Sequence, residues 1–368
     1  MLRLWLSAHQ ARQQVPGRTA YAHRCASRYT AGPPCGQPLR TARVIAAPGA
    51  ETLGGYGEFS LVAAITADQP LGPDVLVGPG DDAAVLAVEP PVVTSVDVLV
   101  EGVHFRRDWS PARDVGRKAV AVNVSDLEAM GARATALVVG FSAPPDLELS
   151  WALDFAAGLA LESKSAGVSL IGGDLTRARD ITVAVTAFGG LDGRAPVLRS
   201  GAQPGDVVAV RGRLGWAAAG LVVLGRGFRS PRVVVEAHRV PQVNYGAGAA
   251  AAAAGATSMI DVSDGLLADL GHIAAASNVT IDVDRSAFEV AEPLKAVAAA
   301  TGTDPYALVL TGGEDHALAA TFPDSATLPD GWLVVGRVLH TVQDPAGVLV
   351  DGAPWTSAAG FDHFRARP

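Results

Sequence analysis

The chain reads as an α/β (α+β) protein of two domains, on three observations. Strand-like and helix-like stretches alternate through both halves. A turn-rich segment, 191–206 (LDGRAPVLRSGAQPGD), separates them. Small residues and carboxylates recur where apolar strands end. Strands alternating with helical patterns are the signature of layered sheets covered by helices. At 368 residues with 49% hydrophobic content, the chain is long enough for two ordinary cores. The boundaries expected are a leader over 1–50, an N-terminal domain over 51–190 and a C-terminal domain over 191–368.

The leader carries seven Arg and no acidic residue, and both cysteines, Cys25 and Cys35, lie in it. Its composition fits a transit peptide, a disordered basic tail, or a start placed too far upstream. The rest of the chain has no Cys, which excludes a disulfide framework, a thiolate zinc site or a thiol nucleophile there. The formal net charge is −8, and without the leader about 22 basic residues face 37 acidic ones. So acidic a surface repels a phosphodiester backbone and argues against nucleic acid as partner. No apolar run is long and uninterrupted enough for a membrane span, and a cytoplasmic protein is expected.

In order, the pattern predicts a helix from Gly57 to Ala67, a strand at 75–77 running into Gly80-Asp81-Asp82, and a strand at 92–100 carrying Asp97. Ser110-Pro111 opens a helix reaching Met130, with Gly131 just past its end. A strand at 134–141, a helix at 149–166, a strand at 168–171 ending in Gly172-Gly173-Asp174 and a strand at 181–189 complete the first half. The second half reads as a strand at 207–210, a helix from 215, helices over 231–254, and a strand at 257–261 entering Asp261-Val-Ser263-Asp264-Gly265. A helix to Ser277 follows, then strands near 279–283, 307–310, 316–322 and 332–338.

Carboxylates stand at strand exits at Asp81-Asp82, Asp97, Asp174, Asp261 with Asp264, and Glu314-Asp315. Asn123 and Asp126, three apart, share a helix face. Each alone has an ordinary reading as a cap, a turn or a solvated position. Together, flanked by runs such as VVTSVDVLV, they place partly desolvated charge that needs compensation. Only three lysines exist, Lys118, Lys164 and Lys295, so divalent cations are the expected counter-charge. With oxygen donors alone, Mg²⁺ is the expected ion, completed by substrate phosphates. No P-loop, protein-kinase set or dinucleotide fingerprint is present. ATP would then be held through metals, Gly-rich backbone and helix N-termini.

The ordered blocks GDDAAVL, SVDVLVEGVHF, KAVAVNVSDLEAMGA, IGGD, RSGAQPGD, IDVSDGLLADLGHI, LTGGEDHAL and GFDHF resemble those of thiamine-monophosphate kinases, from about Gly57 to Phe364. The resemblance implies the fold of aminoimidazole ribonucleotide synthetase-like proteins, with N-terminal sheets pairing in a homodimer. It implies ATP- and Mg²⁺-dependent phosphorylation of thiamine monophosphate to thiamine diphosphate. By resemblance, Asp82, Ser95, the Val96 carbonyl, Asp97, Asp126, Asp174, Asp261 and Asp264 hold metal, and Asp82, Asp126, Asp174 and Asp261 are essential to catalysis. Gly173, Asp174, Arg199 and Ser263 contact ATP, while His104, Glu314 and Phe361 hold the thiamine phosphate. Val96 stands where relatives often have Thr, and Phe361 where some have Tyr, so a hydroxyl is lost at each. A related C–N-forming synthetase or selenide-activating enzyme, and a non-catalytic nucleotide sensor, are the alternatives. The missing cysteines disfavour the selenium enzyme.

Overall fold

The computed structural model describes residues 51–67, 69, 71–79, 83–341 and 347–360. The leader over 1–50, Asp81, Asp82 and Phe361 lie outside the described residues. Two short helices, α1 (Leu53–Tyr56) and α2 (Glu58–Thr66), precede a small hairpin of β1 (Val75–Val77) and β2 (Val85–Leu86). The next segments are β3 (Val92–Val100), α3 (Ala112–Ala129), β4 (Arg133–Ala143), α4 (Leu149–Ala166), β5 (Ser169–Arg177) and β6 (Thr182–Gly190). They form a four-stranded sheet in the order β3-β6-β4-β5, with only β4 and β5 parallel.

Alternation decides which residues of this sheet meet the helices. Leu99, Val185, Val139 and Phe141 point inward with Val115, Val120, Leu127 and Phe155 of the helix layer. On the other face Val92, Val96 and Val98 remain exposed. The helix layer is tight because two glycines let the backbones touch. A Cβ on Gly116 of α3 would sit 2.1 Å from the Phe155 carbonyl oxygen, and one on Gly158 of α4 would sit 2.0 Å from that of Arg113.

The second sheet is built from β7 (Val207–Arg211), β8 (Ser258–Val262), β9 (Thr280–Val283), β10 (Ala317–Phe322), β11 (Leu333–Leu339), β12 (Val348–Val350) and β13 (Ala353–Pro354). Its order is β13-β12-β9-β11-β7-β10-β8, which leaves β8 at an edge. Between β7 and β8 come α5 (Trp216–Gly225), α6 (Arg232–Arg239) and α7 (Ala247–Ala253). After β8 come α8 (Leu266–Ser277), α9 (Glu292–Thr301) and α10 (Pro305–Thr311). Val208, Val210, Ile260 and Val262 face the α5 and α8 side, while Ala209, Met259 and Phe322 pack with α7 and with Ala129 of α3.

Two elements differ from expectation. The apolar run at 307–310, read as a strand, is the middle of α10, started by Asp304, whose side chain accepts from the Tyr306 N–H. Strand β5 does not stop at Ile171 but continues through Gly172-Gly173-Asp174 to Arg177, past an irregularity in its pairing with β4. Helix α9 was not foreseen.

Candidate functional site

Helix α3 lies between β3, an edge of the first sheet, and β8, an edge of the second, and 14 of its 18 residues are buried. Polar side chains on so buried a helix destabilise it unless each is partnered. Their partners are the predicted site residues. Ser95 of β3 donates to the Asp126 carboxylate at 2.5 Å. The Asn123 amide oxygen accepts from the backbone N–H of Asp97 at 2.9 Å, and its amide nitrogen donates to the Ala119 carbonyl. Ser125 donates to Asp261 at 3.1 Å, across 136 residues of sequence. Asp261 reaches α3 because alternation along β8 turns Ile260 and Val262 the other way, into the α8 core.

The carboxylates are close enough to oppose one another's ionisation. Burial first, then the charges of Asp261 and Asp97, push the Asp126 carboxyl up to about 7. Asp269, which accepts from the backbone N–H groups of Asp264 and Gly265, is likewise pushed up to about 7, by burial and then by Asp261. A pocket in this state favours a cation. Its donors are carboxylate, hydroxyl and amide oxygens, which fits Mg²⁺. Among the described residues, no three of His, Cys, Asp and Glu converge closely enough to enclose an ion by themselves. Mg²⁺ bound through one or two carboxylates and completed by phosphate and water does not need such a cage.

The turn after α10 closes the site from the second sheet. Glu314 and His316 both have left-handed backbones, φ 70° and 51°, which non-glycine residues adopt only when their surroundings impose it. Here the Glu314 N–H donates to the Ser263 carbonyl and the His316 N–H to that of Val262. Three consecutive side chains then diverge. Glu314 pairs with Lys118 of α3. Asp315 accepts from the Gly215 and Ala217 N–H groups at the start of α5. His316 bonds Asp261 through Nδ1 at 3.0 Å. Burial opposes charge on His316, but the bond to Asp261 and that carboxylate's charge outweigh it and raise its pKa. Burial also opposes ionisation of Glu314, and the Lys118 ammonium outweighs it, holding the carboxyl down at about 2.

The predicted residues do not all gather at one point. Ser95, Asp97, Asp126 and Asp261 meet on α3, with Ser263 and Asp264 at the end of β8, where Gly265, at φ 130°, lets the chain turn into α8. His104 lies in the turn after β3; its Nδ1 accepts from the Val100 N–H at 3.1 Å. Gly173 and Asp174 sit on β5, at the opposite edge of the sheet from β3, roughly 14 Å away at three strand spacings. Register puts Gly173 in one row with Val139, Val185 and Asp97. Asp174 belongs to the next row, with Gly140, Ala184 and Val98, on the other face of the sheet. The Val96 side chain also points to that face, 58% exposed. Arg199 is exposed, and its carbonyl accepts from Ser277 at the far end of α8 from Ser263, about 18 Å along the helix.

Several site residues escaped the sequence reading. Lys118 and Ser125 lie within the block KAVAVNVSDLEAMGA but carry no assigned role there, and Asn123 stands out only for sharing a helix face with Asp126. His316 lies within the block LTGGEDHAL, also without an assigned role. The expectation that only divalent cations compensate the acidic groups also needs correction, since one of the three lysines, 2% exposed, is the partner of Glu314.

Comparison with known proteins defines the class first. The model of the AIR synthase related protein, N-terminal domain, matches residues 80–191, and that of the AIR synthase related protein, C-terminal domain, matches residues 203–328. The thiamine-monophosphate kinase of Mycobacterium tuberculosis (strain H37Rv) is 50% identical over 315 residues, covering 85% of this chain and 93% of its own. That of Corynebacterium glutamicum (strain ATCC 13032) is 40% identical over 301 residues, covering 79% of this chain and 88% of its own. A solved structure described as AaThiL complexed with AMPPCP and TMP superposes with a TM-score of 0.68 at 30% identity, over 84% of this chain and 97% of that one. This chain belongs to the thiamine-monophosphate kinase family.

Proposed function

We propose that this chain transfers the terminal phosphoryl group of ATP to the phosphate of thiamine monophosphate, giving thiamine diphosphate and ADP. The observation that carries the reading is the meeting of Ser95, Asp97, Asp126 and Asp261 on one buried helix at the junction of the two sheets. It occurs in a chain half identical to a protein named for this activity, and a relative has been solved with AMPPCP, an ATP analogue, and TMP.

The acceptor is a phosphate monoester whose second pKa is near 6, so at neutral pH it is largely the dianion. An acceptor oxygen attacks the γ-phosphorus; the new O–P bond forms as the bond to the β,γ-bridging oxygen breaks, and ADP leaves with that electron pair. No general base is needed, and the carboxylates act by position and charge. Asp97, Asp126 and Asp261, with Ser95, the Val96 carbonyl, Asp82, Asp174 and Asp264, are the groups that would hold Mg²⁺. The ions supply positive charge that offsets the repulsion between the two phosphate-bearing reactants. Gly173, Asp174, Arg199 and Ser263 are assigned to ATP. His104, Glu314 and Phe361 are assigned to the acceptor, where the Glu314 carboxylate complements the fixed positive charge of the thiazolium ring.

The exposed valine face of the first sheet is assigned to pairing with a second copy, since a row of exposed apolar residues on a sheet invites cover. A dimer also gives Asp174, on that same face, a route into a shared site. The reaction is assigned to the cytoplasm; among the described residues no helix is long and apolar enough to cross a membrane.

The test is to incubate the full chain with ATP and Mg²⁺, adding thiamine monophosphate or thiamine in parallel. Thiamine diphosphate is expected from the phosphorylated acceptor alone. Phosphorylation of free thiamine, or no product from either, refutes the assignment.

A further inference from the structure

We propose that Lys118 is the positioning residue of the acceptor pocket, fixing Glu314 and the His104 turn in one geometry and thereby setting affinity for the acceptor but not for ATP. The proposal rests on the assignment of His104 and Glu314 to the thiamine phosphate.

Lys118 sits in the first half of α3 with its side chain 2% exposed. Its Nζ donates to the carbonyl of His104 at 3.2 Å and to Oε2 of Glu314. The first partner belongs to the turn that follows β3, 14 residues away; the second belongs to the turn after α10, 196 residues away. One ammonium therefore ties together two turns from the two sheets. An ammonium has three donors and no acceptor, so two are spent on these contacts. Buried this deeply, its charge is little screened, and its loss leaves a largely enclosed carboxylate without its cation.

Both turns depend on outside support. Glu314 holds a left-handed backbone at φ 70°, a conformation that persists where surroundings over-determine it. The His104 ring accepts from the Val100 N–H through Nδ1, so in its neutral form Nε2 carries the proton. That orientation is set by the same turn whose carbonyl Lys118 holds. Among the described residues the carboxylate is held through Oε2, which leaves Oε1 for a ligand. Lys118 thus acts through Glu314 and His104 without touching the acceptor. Among the described residues its hydrogen bonds go to His104 and Glu314, both on the acceptor side of the site.

The experiment uses the full chain, with Lys118→Met, Glu314→Gln and the double variant Lys118→Met/Glu314→Gln beside wild type. Thiamine monophosphate binding is read by calorimetry, and KM for each substrate and kcat by product formation. Lys118→Met is expected to weaken acceptor binding and raise acceptor KM by about tenfold or more, the size expected for a lost charge-assisted hydrogen bond. KM for ATP should stay within about twofold, below the change that loss of one hydrogen bond produces. Because the two residues act as one unit, the double variant should bind the acceptor no worse than Glu314→Gln alone. The double variant also removes the carboxylate left without its cation, so it reads the coupling even where Lys118→Met folds poorly. Unchanged acceptor affinity in Lys118→Met, equal losses for both substrates, or additive losses in the double variant overturn the proposal. Wild type that binds no thiamine monophosphate overturns the functional assignment and, with it, this inference. Wild type that binds the acceptor without turning it over sinks only the kinase reading, and the binding arm still decides the role of Lys118.

Discussion

Asp126 is half-buried, bonded by Ser95 and opposed by Asp261 and Asp97. A group held this way contributes more to binding a cation than to stability, so Asp126→Ala should lower turnover about 100-fold or more while the circular dichroism spectrum and melting temperature stay near wild type. Near-normal turnover would remove Asp126 from the site. His238 carries the clearest pH signal. Its ring packs edge-on against Trp109, and burial, then the Lys118 ammonium, lowers its pKa from 6.5 to about 4; Glu314 and Arg239 also act on it. The folded protein therefore binds this proton less readily than the unfolded chain. The stability this gives is present above pH 6.5 and is lost as pH falls towards 4, by roughly 3 kcal/mol in all. Wild type should lose more melting temperature over that interval than His238→Gln does; parallel curves would contradict it. The sequence disclosed the carboxylates of this site because they recur beside apolar runs, as at Asp97 and Asp261, or share a helix face, as Asp126 does with Asn123. It left Lys118, Ser125 and His316 without a role, because their importance comes from contacts across 14 to 196 residues that no local spacing encodes.

At the scale of elements, α3 and its contact with α4 carry the arrangement. Gly116 and Gly158 let the two helices cross with each backbone against the other. Gly158→Ala would drive a methyl carbon into the Arg113 carbonyl oxygen and force the helices apart, shifting Lys118, Asn123, Ser125 and Asp126 together. The expected cost is about 3 kcal/mol, the upper end for overpacking, read as a lower urea midpoint with an unchanged slope. A midpoint equal to wild type would mean that the crossing tolerates separation. Most elements were legible, since helix 149–166 and strand 92–100 match their periodic patterns. The misread run at 307–310 shows why some were not. Four apolar residues satisfy strand and buried helix alike, and the informative signal was Asp304-Pro305, a cap and first-turn pair just before the run. The length of β5 was illegible for the opposite reason. Gly172-Gly173 reads as a turn, yet pairing with β4 keeps it extended and carries Asp174 to the sheet edge.

For the whole molecule, the two faces of the four-stranded sheet pose the remaining question. The inner face places Ser95 and Asp97 against α3; the outer face carries Val92, Val96, Val98 and, at the far edge, Asp174. A single chain therefore presents its proposed metal ligands on two sides of one sheet. Pairing of two such sheets would cover the valines, each worth about 1.5–3 kcal/mol if fully buried. Replacing Val92 and Val98 by Lys leaves the inner face untouched and places two charges where a second copy would pack, which burial does not tolerate. Wild type at micromolar concentration should have the mass of two chains by light scattering, and the double variant the mass of one, with its circular dichroism spectrum unchanged. Turnover should fall with the loss of the dimer. A wild type of single-chain mass contradicts the pairing outright. A monomeric variant with full turnover would show instead that the site is complete within one chain, and that Asp174, on its separate face, takes no part in it.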